Sequence, residues 1–179
     1  MFKNRTLLYH LITLFTVIVW GTTFVSTKVL LQHGLEPAEI MVYRFILAYA
    51  GMLFLSHKRL WADSWKDEML LVLLGITGGS LYFLAENTAI QLTQASNVAI
   101  LVGAAPLFTA LLNAWVDKVP LRKDLLIGSA VAMIGVVLVV LNGSFLLEVN
   151  PLGDGLSIVA ASMWAFYCLI LKRLGNRYT

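Results

Sequence analysis

Six apolar runs, at about 8–31, 37–56, 69–90, 95–116, 124–142 and 153–171, occupy most of this chain and limit what it can become. Each comes close to the roughly 17–25 residues that a helix needs to cross the ~30 Å hydrocarbon layer of a bilayer. Lipid offers no hydrogen bonds to an open backbone, so such runs must be helices. The expected fold class is therefore an all-α polytopic membrane protein with six transmembrane helices. Composition agrees. Hydrophobic residues make up 59% of the chain and charged ones 13%, against about 25% charged in a soluble domain. The net charge of +3 is no nucleic-acid signal, because the basic residues lie in short clusters between apolar runs. The lone Cys168 sits inside a run, which excludes an intrachain disulfide. His10, His33 and His57 without a cysteine cluster supply no metal set, and no cofactor is expected. A cleaved leader is a poor reading of the first run, which is too long and lacks a small-x-small site before Gly21.

The breaks between runs carry turn and charge chemistry: "QHGLEP", "SHKRLWADSWKDE", "QLTQAS", "VDKVPLRKD" and "NGSFLLEVNPLGD". Pro37 falls where a helix would start, at the tolerated first position. Of the 13 basic residues, only Lys28 and Arg44 lie within runs. The others are Lys3 and Arg5, then Lys58, Arg59 and Lys66, then Lys118, Arg122 and Lys123, then Lys172, Arg173 and Arg177. They occupy the tail and every second loop. Cytoplasmic loops hold the excess of Lys and Arg, so both ends of this chain are expected in the cytoplasm, with the spans in the inner (plasma) membrane.

Spans one and six align at an offset of 144. Thr13 falls on Ser157, Trp20 on Trp164, Gly21 on Ala165, Thr23 on Tyr167 and Lys28 on Lys172. The copies are five spans apart, an odd number, so they run in opposite directions, as in the inverted repeats of secondary transporters. A Trp and a terminal Lys are common in spans, so chance stands as the other explanation. The offset also places a second copy near Ser144, with the sequence in hand ending about 35 residues into it. Four further spans are expected beyond.

The stretches "VIVWGTTFVSTKVLL", "EPAEIMVYRFILA", "YFLAENTAIQLTQASNVAILVGAAPLFTALLNAWV" and "IGSAVAMIGVVLVV" resemble the first EamA domain of the drug/metabolite transporter superfamily. "GDGLSIVAASMWAFYCLILKR" resembles the opening span of the second. The shared marks are Trp20-Gly21 in span one, Pro37 seven residues before Arg44, Gln94-x-Ser96, and Pro106 within span four. The resemblance implies ten spans in two inverted halves and the movement of metabolites, amino acids or drugs. It implies a first domain at 8–143 and the start of a second at 144–179. Asp117 stands where the family usually has Glu.

Thr13, Thr16, Trp20, Thr23 and Thr27 share one helical face. Such a stripe serves close helix packing or lines a cavity, and the resemblance favours the second. Span three carries Gly75, Gly79, Tyr82 and Glu86 on one face; Gly75 and Gly79 read as a close-packing G-x-x-x-G. Arg44 lies seven residues into span two, about 10 Å along its axis, where an unpaired charge is costly. It either pairs with Glu86 or extends to the interface. Pro106 removes a backbone hydrogen bond and marks a kink, which is tolerated in spans or borders a binding site. The candidate substrate-binding residues are Trp20, Thr23, Tyr82, Asn97 and Trp164, with Arg44 and Glu86 as gating or ion-coupling candidates. Ser80 could be offered as a nucleophile, but no mid-span His serves it, so an enzyme is not expected. The expected function is a secondary-active transporter, directed outward, of a small-molecule substrate across a lipid bilayer by alternating access. The alternative is an incomplete, non-transporting membrane protein; either a second copy or a C-terminal half would complete the cavity.

Overall fold

A computed structural model describes residues 2–55, 62–118, 120–121, 123–141 and 150–175. The helices are α1 (Phe2–Gln32), α2 (Pro37–Leu55), α3 (Trp65–Leu74), α4 (Tyr82–Leu92), α5 (Ala95–Val102), α6 (Ala105–Val116), α7 (Lys123–Leu141) and α8 (Pro151–Gly175). A π-helical turn, Gly75–Leu81, joins α3 to α4 without interrupting the span. Among the described residues, five segments are long and apolar enough to cross a bilayer: Thr6–Gln32, Pro37–Leu55, Trp65–Leu92, Ala95–Val116 and Pro151–Gly175. The fifth of the six expected runs forms α7, a 19-residue helix that does not add to that number. The expected domain junction at 143 and 144 lies outside the described residues.

Local chemistry sets the helix ends. Gly34 has φ +93, and the N–H groups of Gly34 and Leu35 reach the carbonyls of Leu31 and Leu30 at 3.1 and 3.2 Å. These bonds form a Schellman motif, which closes α1 on the one residue type that adopts a left-handed turn freely. Pro37 opens α2, and the Glu39 carboxylate accepts from the Glu36 N–H at 2.8 Å. That is half of a capping box. Asn150 caps α8 through the Gly153 N–H, at 3.0 Å.

The threonines of α1 resolve their polarity within the helix. Hydroxyls of Thr13, Thr16, Thr22 and Thr23 donate to the carbonyls of Tyr9, Ile12, Val19 and Trp20 at 2.6–2.8 Å. A hydroxyl satisfied this way costs little in lipid. Burial rises along the stripe: Thr13 and Thr16 are exposed, Thr23 is half-buried and Thr27 is buried. Lys28 then reaches across to the last turn of α4, donating to the carbonyls of Ile90 at 2.6 Å and Thr93 at 2.9 Å. A cation there meets the negative end of the helix dipole.

α8 is the centre of the bundle and packs on α4, α6 and α5. Its buried face starts with Gly153, Ser157, Ala160, Ala161 and Ala165, small residues that let helices approach closely, and continues to Leu169 and Leu174. At one end Gly153 meets Thr93 so tightly that a Cβ would lie 3.0 Å from the threonine methyl. At the other, Lys172 and Arg173 meet Asp117 at the end of α6 at 2.9 and 3.6 Å. α8 thus starts beside the end of α4 and ends beside the end of α6, antiparallel to the first and parallel to the second.

Candidate functional site

Where α1, α4, α5, α6 and α8 converge, an open cavity of about 280 Å³ is lined by Trp20, Phe24, Tyr82, Ala99, Val102, Gly103, Ala105, Pro106 and Trp164. Its aromatic wall is continuous. Ring centroids of Trp20 and Trp164 are 5.1 Å apart, those of Tyr82 and Trp164 are 5.2 Å apart, and both pairs are tilted by about 50°. Tyr167, one turn below Trp164 on α8, continues the stack at 5.1 Å.

Two irregular turns shape this wall. Pro106 has no N–H for the Val102 carbonyl and its ring clashes with that carbonyl, so the helix parts one turn earlier, at Gly103–Ala104. The kink expected at Pro106 is therefore a break that makes two helices, α5 and α6, of span four. On the facing side the π turn carries Gly78, where any Cβ would overlap the Tyr167 ring. The expected close-packing pair was Gly75 and Gly79, but Gly75 meets nothing and Gly79 makes ordinary contact with Phe45 at 3.4 Å. The π turn shifts the register, so the close approach falls to Gly78.

Behind Tyr82 lies the charged part of the site. The Tyr82 hydroxyl donates to the Glu86 carboxylate at 2.6 Å, and Glu86 is 2% exposed. The expected Arg44–Glu86 ion pair is not formed. Tyr82 stands one turn from Glu86 on the same helix and takes the carboxylate, while the Arg44 guanidinium sits over the Phe83 ring at 4.9 Å. Phe83 in turn meets the rings of Tyr82 and Phe45 edge-on at 4.9 and 5.6 Å.

Of the five candidate binding residues, Trp20, Tyr82 and Trp164 meet at the cavity. Thr23 and Asn97 do not line it. Thr23 spends its hydroxyl on the Trp20 carbonyl, and Asn97 is buried beside Thr93 on the side of α5 opposite Ala99, which stands two residues on, about 200° around the helix, and lines the cavity. Sequence reasoning missed Phe24, Phe83 and Gly78. Phe24 was within reach, since it lies four residues from Trp20 on the same face.

A family model described as the EamA-like transporter family matches residues 7–141. An uncharacterized transporter of Archaeoglobus fulgidus is 30% identical over 173 residues, covering 94% of this chain and 59% of the relative. A probable amino-acid metabolite efflux pump of Salmonella typhimurium is 32% identical over 168 residues, covering 91% of this chain and 53% of the pump. The Escherichia coli protein of the same description is 30% identical over 173 residues, with 94% and 54% covered. The chain thus spans a little over half the length of these relatives. No solved structure matches it.

Proposed function

This chain belongs to the EamA-like transporter family, and from that premise we propose that it supplies the first domain (8–143) and the opening span (144–179) of a ten-helix inverted-repeat transporter. The whole protein exports a small metabolite, amino acid or drug by alternating access, with six spans in this chain and both its ends in the cytoplasm. The description of the Salmonella and Escherichia relatives as amino-acid metabolite efflux pumps supports the outward direction and the substrate class. The observation that carries the reading is the meeting of Trp20 and Trp164 at 5.1 Å on the wall of one cavity. These two residues occupy matching places in oppositely directed spans, as a site on a pseudo-two-fold axis requires.

In this reading Trp20, Tyr82 and Trp164 hold the substrate, Pro106 and the break before it let the wall move, and Arg44 and Glu86 act separately in gating or ion coupling. The test is Trp20→Ala in the full-length protein, assayed by export of amino acids from cells producing it, with membrane level measured alongside. Export should fall at least about tenfold at unchanged level, the loss expected when an aromatic contact worth about 1.4 kcal/mol or more is removed. Normal export would remove Trp20 from the site.

A further inference from the structure

The cavity wall is built of aromatic rings, whose faces are electron-rich; Trp20 and Trp164 stand in it partly exposed, with Tyr82 fully buried beside them. Trp20 and Tyr82 are each tilted by about 50° to Trp164, so the three rings form a cup around it rather than a flat stack. Such cups attract cations, and Trp is the strongest contributor. Among the described residues, the rest of the lining, Phe24 included, carries no charge. Behind Tyr82 lies an acid, Glu86, buried and joined to it through the phenol hydroxyl at 2.6 Å. Donation of that proton turns the phenol oxygen more negative toward its other side. Arg44 opposes this field, but it is not paired with the carboxylate and lies beyond Phe83 rather than in the cavity lining.

We infer that the cavity selects a small organic cation, an ammonium borne on an apolar group, over an anion of the same shape. This rests on the cavity being the substrate site. Its elements are the tilted rings of Trp20, Trp164 and Tyr82 and the Glu86 carboxylate behind them. A volume of about 280 Å³ suits a ligand with a single ring or a short branched chain.

Three probes share one ring and differ in charge: phenethylammonium, 2-phenylethanol and phenylacetate. Binding of each to the full-length protein in lipid nanodiscs is read by tryptophan fluorescence, since two tryptophans line the cavity. Phenethylammonium should bind at least about tenfold tighter than 2-phenylethanol, with phenylacetate weakest. In Glu86→Gln, which keeps the shape and an acceptor for Tyr82, the ammonium-to-alcohol ratio should fall to within about threefold of one. A ratio is used because partial misfolding would weaken both probes together. Phenylacetate binding as tightly as phenethylammonium, or a ratio unmoved by Glu86→Gln, overturns the inference while the cavity stands. If none of the three binds and Trp20→Ala exports normally, the cavity reading falls and the inference with it.

Discussion

Two glycines three residues apart in one span should respond in opposite directions to the same methyl group. Gly75 has φ −62 and ψ −40, an ordinary helical geometry, and a Cβ there meets nothing within 4 Å. Gly75→Ala should therefore show only the propensity gain, about 0.5–1 kcal/mol of added stability. At Gly78 the same gain is opposed by overlap with the Tyr167 ring. The overlap falls on the ring near its attachment, so no flexible tip can swing aside. Overpacking a well-filled contact costs about 1–3 kcal/mol, which leaves Gly78→Ala roughly 1–2 kcal/mol less stable than the parent. The difference between the two variants should be about 2 kcal/mol, read from SDS unfolding of the protein in detergent micelles followed by helical circular dichroism. Gly78→Ala combined with Tyr167→Ala should recover part of the loss, because the obstructing ring is gone. Equal stability for Gly75→Ala and Gly78→Ala would refute the placement of Tyr167 against the π turn.

Two further perturbations probe the ends of the bundle. Lys28→Met should cost about 0.5–2 kcal/mol in the same unfolding assay, since it leaves the Ile90 and Thr93 carbonyls without their cation, and Lys28→Arg should restore most of it. The hydrogen bond from Lys172, with the Lys172 and Arg173 charges, holds the Asp117 carboxyl below its usual range against a smaller effect of desolvation. A carboxyl depressed in the folded state stabilises above its unfolded value of about 3.9 and loses that contribution as pH falls through its folded value. Asp117→Asn should therefore narrow the difference in stability between neutral pH and pH below about 4, and the effect should shrink in 1 M salt because these groups are partly exposed. An unchanged pH profile in that variant would show that the ion pair contributes nothing measurable.

Five of the six runs were legible as helices fit to cross a bilayer because bilayer thickness imposes a length on any apolar run, and that length does not depend on what packs where. Pro37 fell at a helix start for a similarly local reason. The candidacy of Trp20 and Trp164 was legible in their type, since each is a large aromatic with a polar N–H placed within a span. What escaped depends on a neighbour. The π turn at Gly75–Leu81 inserts extra length into a helix whose sequence reads as regular, and it moved the tight contact from Gly79 to Gly78. Glu86 had two partners in reach, Arg44 and Tyr82; the choice follows from the tyrosine's place on the same helix and from Phe83 drawing the guanidinium away. Asn97 looked like a cavity residue by type, but it faces Thr93, and the opposite side of α5, at Ala99, meets the cavity.

The parting of α5 from α6 at Gly103–Ala104 has a mechanical meaning. A continuous helix is stiff because each turn is clamped to the next, and this clamp is missing where Pro106 offers no donor. Bending is then cheapest at that one level of the span, beside the aromatic cup. The two halves are levers with separate anchors: α5 emerges from the hairpin at Thr93, where Lys28 is fastened, and α6 is moored to α8 through Asp117. A pull on either anchor turns its own half about the break. The cup lies at the fulcrum, where displacement is smallest and the change of angle is greatest.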